Sequence, residues 1–431
     1  MHVGGLQLFE LPEGAEPGYV NELYRTLLGY TELRPLARRR PRDPVGTVGQ
    51  LFWSEDDDVD LEYHVRLSSL PTPHRVRELL ELTSRMHGTL LDRHRPLWEF
   101  HLIEGLEGNR FAAYTKIHHA LVDGVAATRL LQDFLSEDPE ATCIPFWGAQ
   151  PGAAPSKGSS SLLGQLTGLM GGARELVGLG PVLAKRALET LRSQGDVPFP
   201  APRTMLNVPI TGARRFAAQS WEIERLKKAG AATGATLNDV VLAMSSGALR
   251  RYLLDHDALP DKPLVAAVPV SLALRSGAAG GEGGNAIGAV LCNLGTHEAD
   301  PYRRLETITR SMRTAKESLA GQSPMQIQAL SALIMGAPSL LSMLPVGGSL
   351  APPVFNLFIS NVPGPRKPLY LNGARMQGTY PVSIPFEGQA LNITVTSYAG
   401  NMQFGLTGCR RQVPHLQRML GYLEDSLAEL E

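Results

Sequence analysis

Cysteine is scarce in this chain of 431 residues. Cys143, Cys292 and Cys409 are the whole complement, and no two lie close enough in sequence to make a CxxC pair. That excludes a disulfide scaffold and a zinc site of the paired-cysteine kind, and it fits a reducing compartment. An excess of one charge is lacking too. The net charge is −1 and the only basic run is Arg38-Arg39-Arg40, so no global field draws the chain to nucleic acid, and no nucleic-acid partner is expected. No apolar run of spanning length survives without Pro or Gly, and Met1–Leu6 lacks the basic-then-apolar order of a signal peptide. A cytoplasmic protein without a transmembrane helix is expected. The chain also has no internal repeat, no GxGxxG following a strand, no P-loop and no GxSxG. Gly280-Gly281-Glu282-Gly283-Gly284 is not followed by a helical pattern and reads as a loop.

The composition, 43% hydrophobic and 19% charged, is that of a folded globular protein with chain enough for two or three domains. Residues 3–9 read as a strand. Leu61, Tyr63, Val65 and Leu67 alternate with Asp60, Glu62, His64 and Arg66, which predicts a half-buried strand. Thr72 and Pro73 open a helix whose face carries Val76, Leu79, Leu80, Thr83, Met86 and Leu90. Pro96-Leu97-Trp98 leads into a strand to Ile103, and Glu107-Gly108-Asn109-Arg110 turns it into Phe111–Ile117 as a hairpin. A helix from Gly124 through Leu135 follows. In the second half, Thr236-Leu237-Asn238-Asp239 has capping-box spacing with Asp in place of Glu. The helix it opens puts Leu237, Val240, Val241, Met244, Ala248 and Tyr252 on one face. Leu264–Val270 reads as a buried strand, Asp300-Pro301 opens a helix, Leu391–Tyr398 and Met402–Leu406 form a hairpin, and Pro414–Leu430 is a final helix.

From about Ala141 to Arg203 the composition shifts to Pro, Ser and Gly around an amphipathic middle, Leu162–Leu191. This segment is the best crossover, dividing the chain into an N-terminal domain over 1–144, a linker over 145–203 and a C-terminal domain over 204–431. Residues 318–365, 48 in all, contain no Lys, Arg, Asp or Glu, and Gly336, Pro338 and Pro345 interrupt them. Such a stretch serves as a buried helix pair, as an apolar wall for a long acyl or alkyl chain, or as a patch resting on lipid.

Between the strand ending at Ile117 and the helix starting at Gly124 lies His118-His119-Ala120-Leu121-Val122-Asp123. Histidine is the side chain suited to moving a proton near neutral pH. A buried structural pair is the alternative. In an acyl transfer, His119 would take the proton of an attacking alcohol and return it to the departing thiolate, without a covalent enzyme intermediate. Asp123 either orients the imidazole or, the role we favour, pairs with an arginine to hold the loop. His118 packs or bonds inward, because neighbours at a strand end point to opposite faces.

His118-His119-Ala120-Leu121-Val122-Asp123-Gly124 resembles the HHxxxDG motif of CoA-dependent acyltransferases with the chloramphenicol-acetyltransferase-like fold, a superfamily that includes peptide-synthetase condensation domains. Pro96-Leu97-Trp98, Asn238-Asp239 and Ser360-Asn361-Val362-Pro363-Gly364-Pro365 resemble the PLW, ND and SNVPGP blocks of bacterial wax ester synthase/diacylglycerol acyltransferases, as do Val268–Leu272 and Leu391–Thr394. The resemblance covers nearly the whole chain.

It implies an α/β fold of two chloramphenicol-acetyltransferase-like domains, each a mixed sheet with helices, joined by a helical crossover, with the active site in the channel between them. It implies His119 as general base, with His118 and Asp123 beside it, and Gly124, Asn238, Asp239, Pro96, Leu97 and Trp98 at or near the substrates. Pro96–Trp98 would be structural or channel-lining; Asn238-Asp239 has the plainer alternative of a helix cap, and Ser360–Pro365 that of a tight strand exit. The implied substrates are acyl-CoA, as co-substrate with no cofactor or metal, and a long-chain alcohol or diacylglycerol. Peripheral contact with a membrane or lipid droplet is expected. A carrier-protein-dependent condensation enzyme and a non-catalytic lipid-binding protein are the competing expectations. Family members carry a short helical segment ahead of a Met-His-Val-Gly-Gly stretch; here Met1 is that Met, so a segment that helps shape the acceptor mouth is expected to be truncated or dispensed with.

Overall fold

Among the described residues, alternating apolar residues become two six-stranded sheets, each mixed in strand direction. The computed structural model describes residues 2–41, 53–122, 124–149, 197–198, 200–271, 287–320, 327 and 353–431. In chain order the strands are β1 (His2–Glu10), β2 (Arg39–Pro41), β3 (Trp53–Glu55), β4 (Val65–Ser69), β5 (Trp98–Leu106), β6 (Arg110–His118), β7 (Arg214–Glu222), β8 (Val265–Ser271), β9 (Ile287–Asn293), β10 (Leu357–Val362), β11 (Tyr370–Leu371), β12 (Ala374–Val382), β13 (Leu391–Tyr398) and β14 (Asn401–Cys409). The first sheet has the order β11-β12-β1-β6-β5-β4 and the second β7-β14-β13-β10-β8-β9, while β2 and β3 form a separate ribbon. Parallel pairs occur at β4–β5, β8–β10 and β10–β13.

The first sheet buries both faces. On one, Phe9, Trp98, Phe100, Phe111, Phe134 and Trp147 belong to a single aromatic-rich core, in which the Trp98 ring stacks on Trp147 with centroids 5.3 Å apart. Phe146 and Trp147 thus bind the start of the expected linker into the first core. On the other face Leu6, Leu8, Leu79, Tyr114 and Val382 meet Phe216 of β7. The helix Val76–Gly88 lies here, between the sheets, and Ser84 Oγ accepts the Phe216 amide at 2.8 Å. The second sheet carries the helices Leu237–Leu254, Pro301–Ala320 and Arg418–Ala428.

The expected division at residue 204 does not describe sheet membership. Residues 370–382 cross back, β12 pairing antiparallel with β1 from Gly4–Val382 to Glu10–Arg375. Two local expectations also change. Asp60 accepts the Tyr63 amide at 3.1 Å, and this cap winds Leu61–His64 into one helical turn before β4 begins. The helix Leu237–Leu254 is buried nearly all round, because it packs against three other helices, Ile223–Ala231, Pro301–Ala320 and Arg418–Ala428, and shares a core with the sheet; single-face patterning suits only helices with a wet side. The amphipathic middle of the linker, the glycine-rich loop at 280–284 and most of the uncharged segment lie outside the described residues.

The sheets come into close contact where β14 passes β12: a Cβ on Gly405 would sit 1.9 Å from the Pro381 carbonyl oxygen. Beside it, Tyr380 OH and Ser220 Oγ are hydrogen-bonded at 2.9 Å. Gly405→Ala should therefore destabilise the protein by about 1–3 kcal/mol, since neither backbone can yield. Gly421→Ala, on the open face of the last helix with nothing within 4 Å, should stabilise it by about 1 kcal/mol. Thermal melts of the two variants check both signs, and equal melting temperatures would remove the close-contact argument.

Candidate active site

Strand alternation decides which way each residue of the motif points. On β6, Tyr114, Lys116 and His118 share the face toward the helix Val76–Gly88, and Ile117 faces the aromatic core. β6 stops at His118, whose amide donates to Leu97 O at 2.9 Å. The chain then turns: the Leu121 amide donates to His118 O at 2.9 Å and the Ala120 amide to His118 Nδ1 at 3.2 Å. His118 is half-buried and folded over its own turn, and burial holds its pKa down to about 4. It is neutral near pH 7 and its Nδ1 is occupied as an acceptor. His119 follows in the turn and is exposed. Of the pair, the second imidazole is the more exposed. Asp123 lies outside the described residues, and Gly124 begins the helix Gly124–Phe134.

Pro96-Leu97-Trp98 sits against this turn from below. Leu97 is 2% and Trp98 1% exposed. Leu97 supports His118 through its main-chain oxygen. Trp98 pairs with Ile117 across β5–β6, so its side chain points away from His118. It donates from Nε1 to Ala37 O at 2.9 Å, and its own carbonyl accepts His64 Nδ1–H at 2.7 Å. Of the two roles open to this tripeptide, such burial favours the structural one.

The second sheet brings two distant blocks together. Thr236 and Asp239 cap the helix reciprocally: Thr236 donates from its amide at 2.9 Å and from Oγ1 at 2.7 Å to Asp239 Oδ2, and Oγ1 accepts the Asp239 amide at 3.3 Å. Asp239 is 3% exposed and its other oxygen, Oδ1, is buried without a hydrogen-bond partner among the described residues. Asn238, half-buried beside it, accepts a long 3.5 Å hydrogen bond from Asn361 Nδ2. Asn361 stands near the end of β10, where the chain exits against β13. There Thr396 Oγ1 donates to Val362 O at 2.8 Å and the Gly364 amide to Ser397 Oγ at 3.0 Å. A Cβ on Gly364 would lie 2.1 Å from Ser397 O, which is why glycine is needed at that exit. Asn238-Asp239 is therefore a helix cap, and it is also the contact point of the Ser360–Pro365 segment.

Known proteins resemble this chain along its length. The profile of the wax ester synthase/diacylglycerol acyltransferase catalytic domain matches residues 1–241, and that of the WS/DGAT C-terminal domain matches residues 283–431. The chain belongs to the wax ester synthase/diacylglycerol acyltransferase family. A protein of Mycobacterium tuberculosis named a probable diacylglycerol O-acyltransferase is 52% identical over 435 residues, covering 100% of this chain and 94% of the relative. The O-acyltransferase WSD of Acinetobacter baylyi is 40% identical, covering 100% and 93%. A solved wax ester synthase/diacylglycerol acyltransferase from Marinobacter aquaeolei VT8 superposes with a TM-score of 0.79 at 44% identity, covering 100% and 94%. The starter condensation domain of rhizomide synthetase, at 13% identity and a TM-score of 0.55 over 99% and 89% of the two chains, shares the fold. The expected two-domain fold of this acyltransferase family is thus found. Its catalytic-domain profile ends inside the helix Leu237–Leu254 and so takes in Asn238-Asp239. Among the described residues, no helix is long and apolar enough to cross a membrane, and no group of three His, Cys, Asp or Glu is placed to hold a metal ion.

The family motifs do not announce the polar layer that lies directly under the histidine turn. Lys116 is fully buried and donates from Nζ to Glu99 Oε2 and to Met86 O, both at 3.1 Å. His101 Nε2 donates to the same Glu99 oxygen at 3.2 Å. Burial pushes the Glu99 carboxyl up, but His101 and Lys116 outweigh it and hold it at about 2. His2 Nε2 donates to His87 O at 2.7 Å; His87 donates from Nε2 to Ser383 O at 2.9 Å and accepts Tyr114 OH on Nδ1 at 2.8 Å. A sequence signal existed: Glu99 and Lys116 occupy the positions between the apolar residues of two strands whose both faces turn out to be buried.

Burial lowers the His2 pKa to about 4 as well, against the opposing pull of its bond to His87 O, and drives His87 well below its usual value. Each imidazole binds fewer protons folded than unfolded in the interval below 6.5. Stability is therefore complete above about pH 6.5 and is lost as pH falls towards about 4. Melting temperature should drop on acidification across that window. The slope should be shallower in His2→Gln, whose amide keeps a donor near His87 O; an unchanged slope would count against the buried histidines as its source.

Proposed function

We propose that the chain is an O-acyltransferase that moves a long-chain fatty acyl group from acyl-CoA to a fatty alcohol or diacylglycerol, giving a wax ester or triacylglycerol. The observation that carries this reading is His119: an exposed imidazole at the end of a buried strand, on a turn shaped by its neighbour, within the span that matches the family's catalytic domain. In the proposed step the acceptor hydroxyl oxygen attacks the thioester carbonyl carbon while His119 takes the hydroxyl proton. The tetrahedral oxyanion collapses, the carbon–sulfur bond breaks, and the proton passes from His119 to the departing CoA thiolate. No enzyme-bound acyl intermediate forms, and acyl-CoA is co-substrate with no cofactor. His118 holds the turn. Asn238 and Asp239, with Asn361 of β10, supply polar groups on the side of the second sheet.

The donor and the lipid acceptor enter the channel between the sheets from different sides. The uncharged stretch 318–365 has the composition to accommodate a long acyl chain, and the protein works in peripheral contact with a membrane or lipid inclusion. Offering labelled palmitoyl-CoA with hexadecanol and diacylglycerol together identifies the acceptor by its product. A carrier-dependent enzyme would be silent with free acyl-CoA, and a lipid-binding protein would release no thiol.

In that assay His119→Ala should lower ester formation by about 10²- to 10⁴-fold, the usual contribution of a positioned general base, with no change in melting temperature, because an exposed side chain is removed. Turnover close to that of the unaltered protein would sink the assignment.

A further inference from the structure

We infer that Lys116 and Glu99 form a positioning pair for the acyl transfer, setting the height and angle of the His118–His119 turn above the helix Val76–Gly88. The inference rests on the reading of His119 as base and adds residues to it.

The pair stands one layer below the turn. Glu99 and Lys116 lie directly opposite each other across β5 and β6. The next residues upward on the same side are Leu97, whose carbonyl takes the His118 amide, and His118 itself. Lys116 Nζ donates to Glu99 Oε2 and to Met86 O, a carbonyl of the last turn of the helix Val76–Gly88 that also accepts the Thr89 amide at 3.3 Å. The negative end of that helix also favours a cation there. His2, which pairs with His118 across β1 and β6, caps the next carbonyl, that of His87. The His87 ring reaches on to Ser383 O, just beyond β12. Strands β5, β6 and β1, the helix end and the segment after β12 are therefore all referenced to one buried layer, and the catalytic turn is its upper edge.

A buried ion pair is a poor source of net stability and can often be replaced by apolar residues without loss. That separates positioning from folding. The double variant Lys116→Met/Glu99→Leu fills the volume and removes both charges. Its melting temperature should remain near that of the parent, while kcat falls about ten- to a hundredfold, the scale of a small misplacement of a catalytic group, and KM for palmitoyl-CoA changes less than about twofold. Glu99→Gln, isosteric and still able to accept from Lys116, should show a smaller kcat loss with the same unchanged KM. Parental kcat in a variant that folds overturns the inference. So does a loss that follows only the folded fraction, or one that appears in KM alone. The parent protein and His119→Ala are run alongside: absence of ester formation by the parent, or its persistence in His119→Ala, is a failure of the base assignment, whereas parental kcat in the folded double variant with an inactive His119→Ala is a failure of the positioning pair.

Discussion

β12 is held from two sides. Along its length it hydrogen-bonds to β1 as part of the first sheet, and near its end Pro381 O lies where only a glycine, Gly405, lets the second sheet come so close. The relative placement of the two halves follows from that double engagement. Once β12 is fixed, Tyr380 meets Ser220 of β7, and the helix Val76–Gly88 is confined between the sheets with Ser84 bonded to the Phe216 amide. Ser383, two residues past the Pro381 contact, supplies the carbonyl that fixes the His87 ring. The polar layer beneath the histidines thus depends on a strand from the far end of the chain.

The two histidines differ because a strand ends between them. His118 is the last residue of β6 and inherits that strand's alternation, so it lies over the half-buried side and bonds its own turn. His119 is released from the alternation and stands in the open. A proton-transfer site needs both properties at once, a rigid support and an accessible ring, and the strand-to-turn junction provides them in adjacent residues. Leu97 contributes to the support through its backbone. That is why a tripeptide with a completely buried tryptophan belongs with the site although its indole points away from it.

Much of this was legible in the order of residues. The hairpin of β5 and β6, the Thr236–Asp239 cap, the β13–β14 hairpin and the histidine turn are local features, governed by alternation, capping and turn chemistry over a few residues. Misreadings arose where a local signal met a longer-range one. The Asp60 cap overrode a period-two pattern at Leu61–His64, and burial by helices on top of the sheet erased the single-face pattern of Leu237–Leu254. Glu99 and Lys116 belong to no motif, and nothing near them in sequence tells that a helix covers their side of the sheet. The meeting of Asn238 with Asn361 joins residues more than a hundred positions apart, and each looked complete as a cap or a strand exit by itself.

The membership of β12 in the first sheet also sets an order on synthesis. β1 leaves the ribosome first, yet the strand that covers one of its edges starts at Ala374. Until that segment emerges, a nascent first sheet has β6 on one side of β1 and bare amide and carbonyl groups on the other, the kind of edge that invites pairing with foreign strands. The N-terminal half, although it holds both histidines, is thus not a self-sufficient unit during translation. Such distant strand closure is slow by its entropy, and the growing chain must keep that edge soluble until β12 has been made.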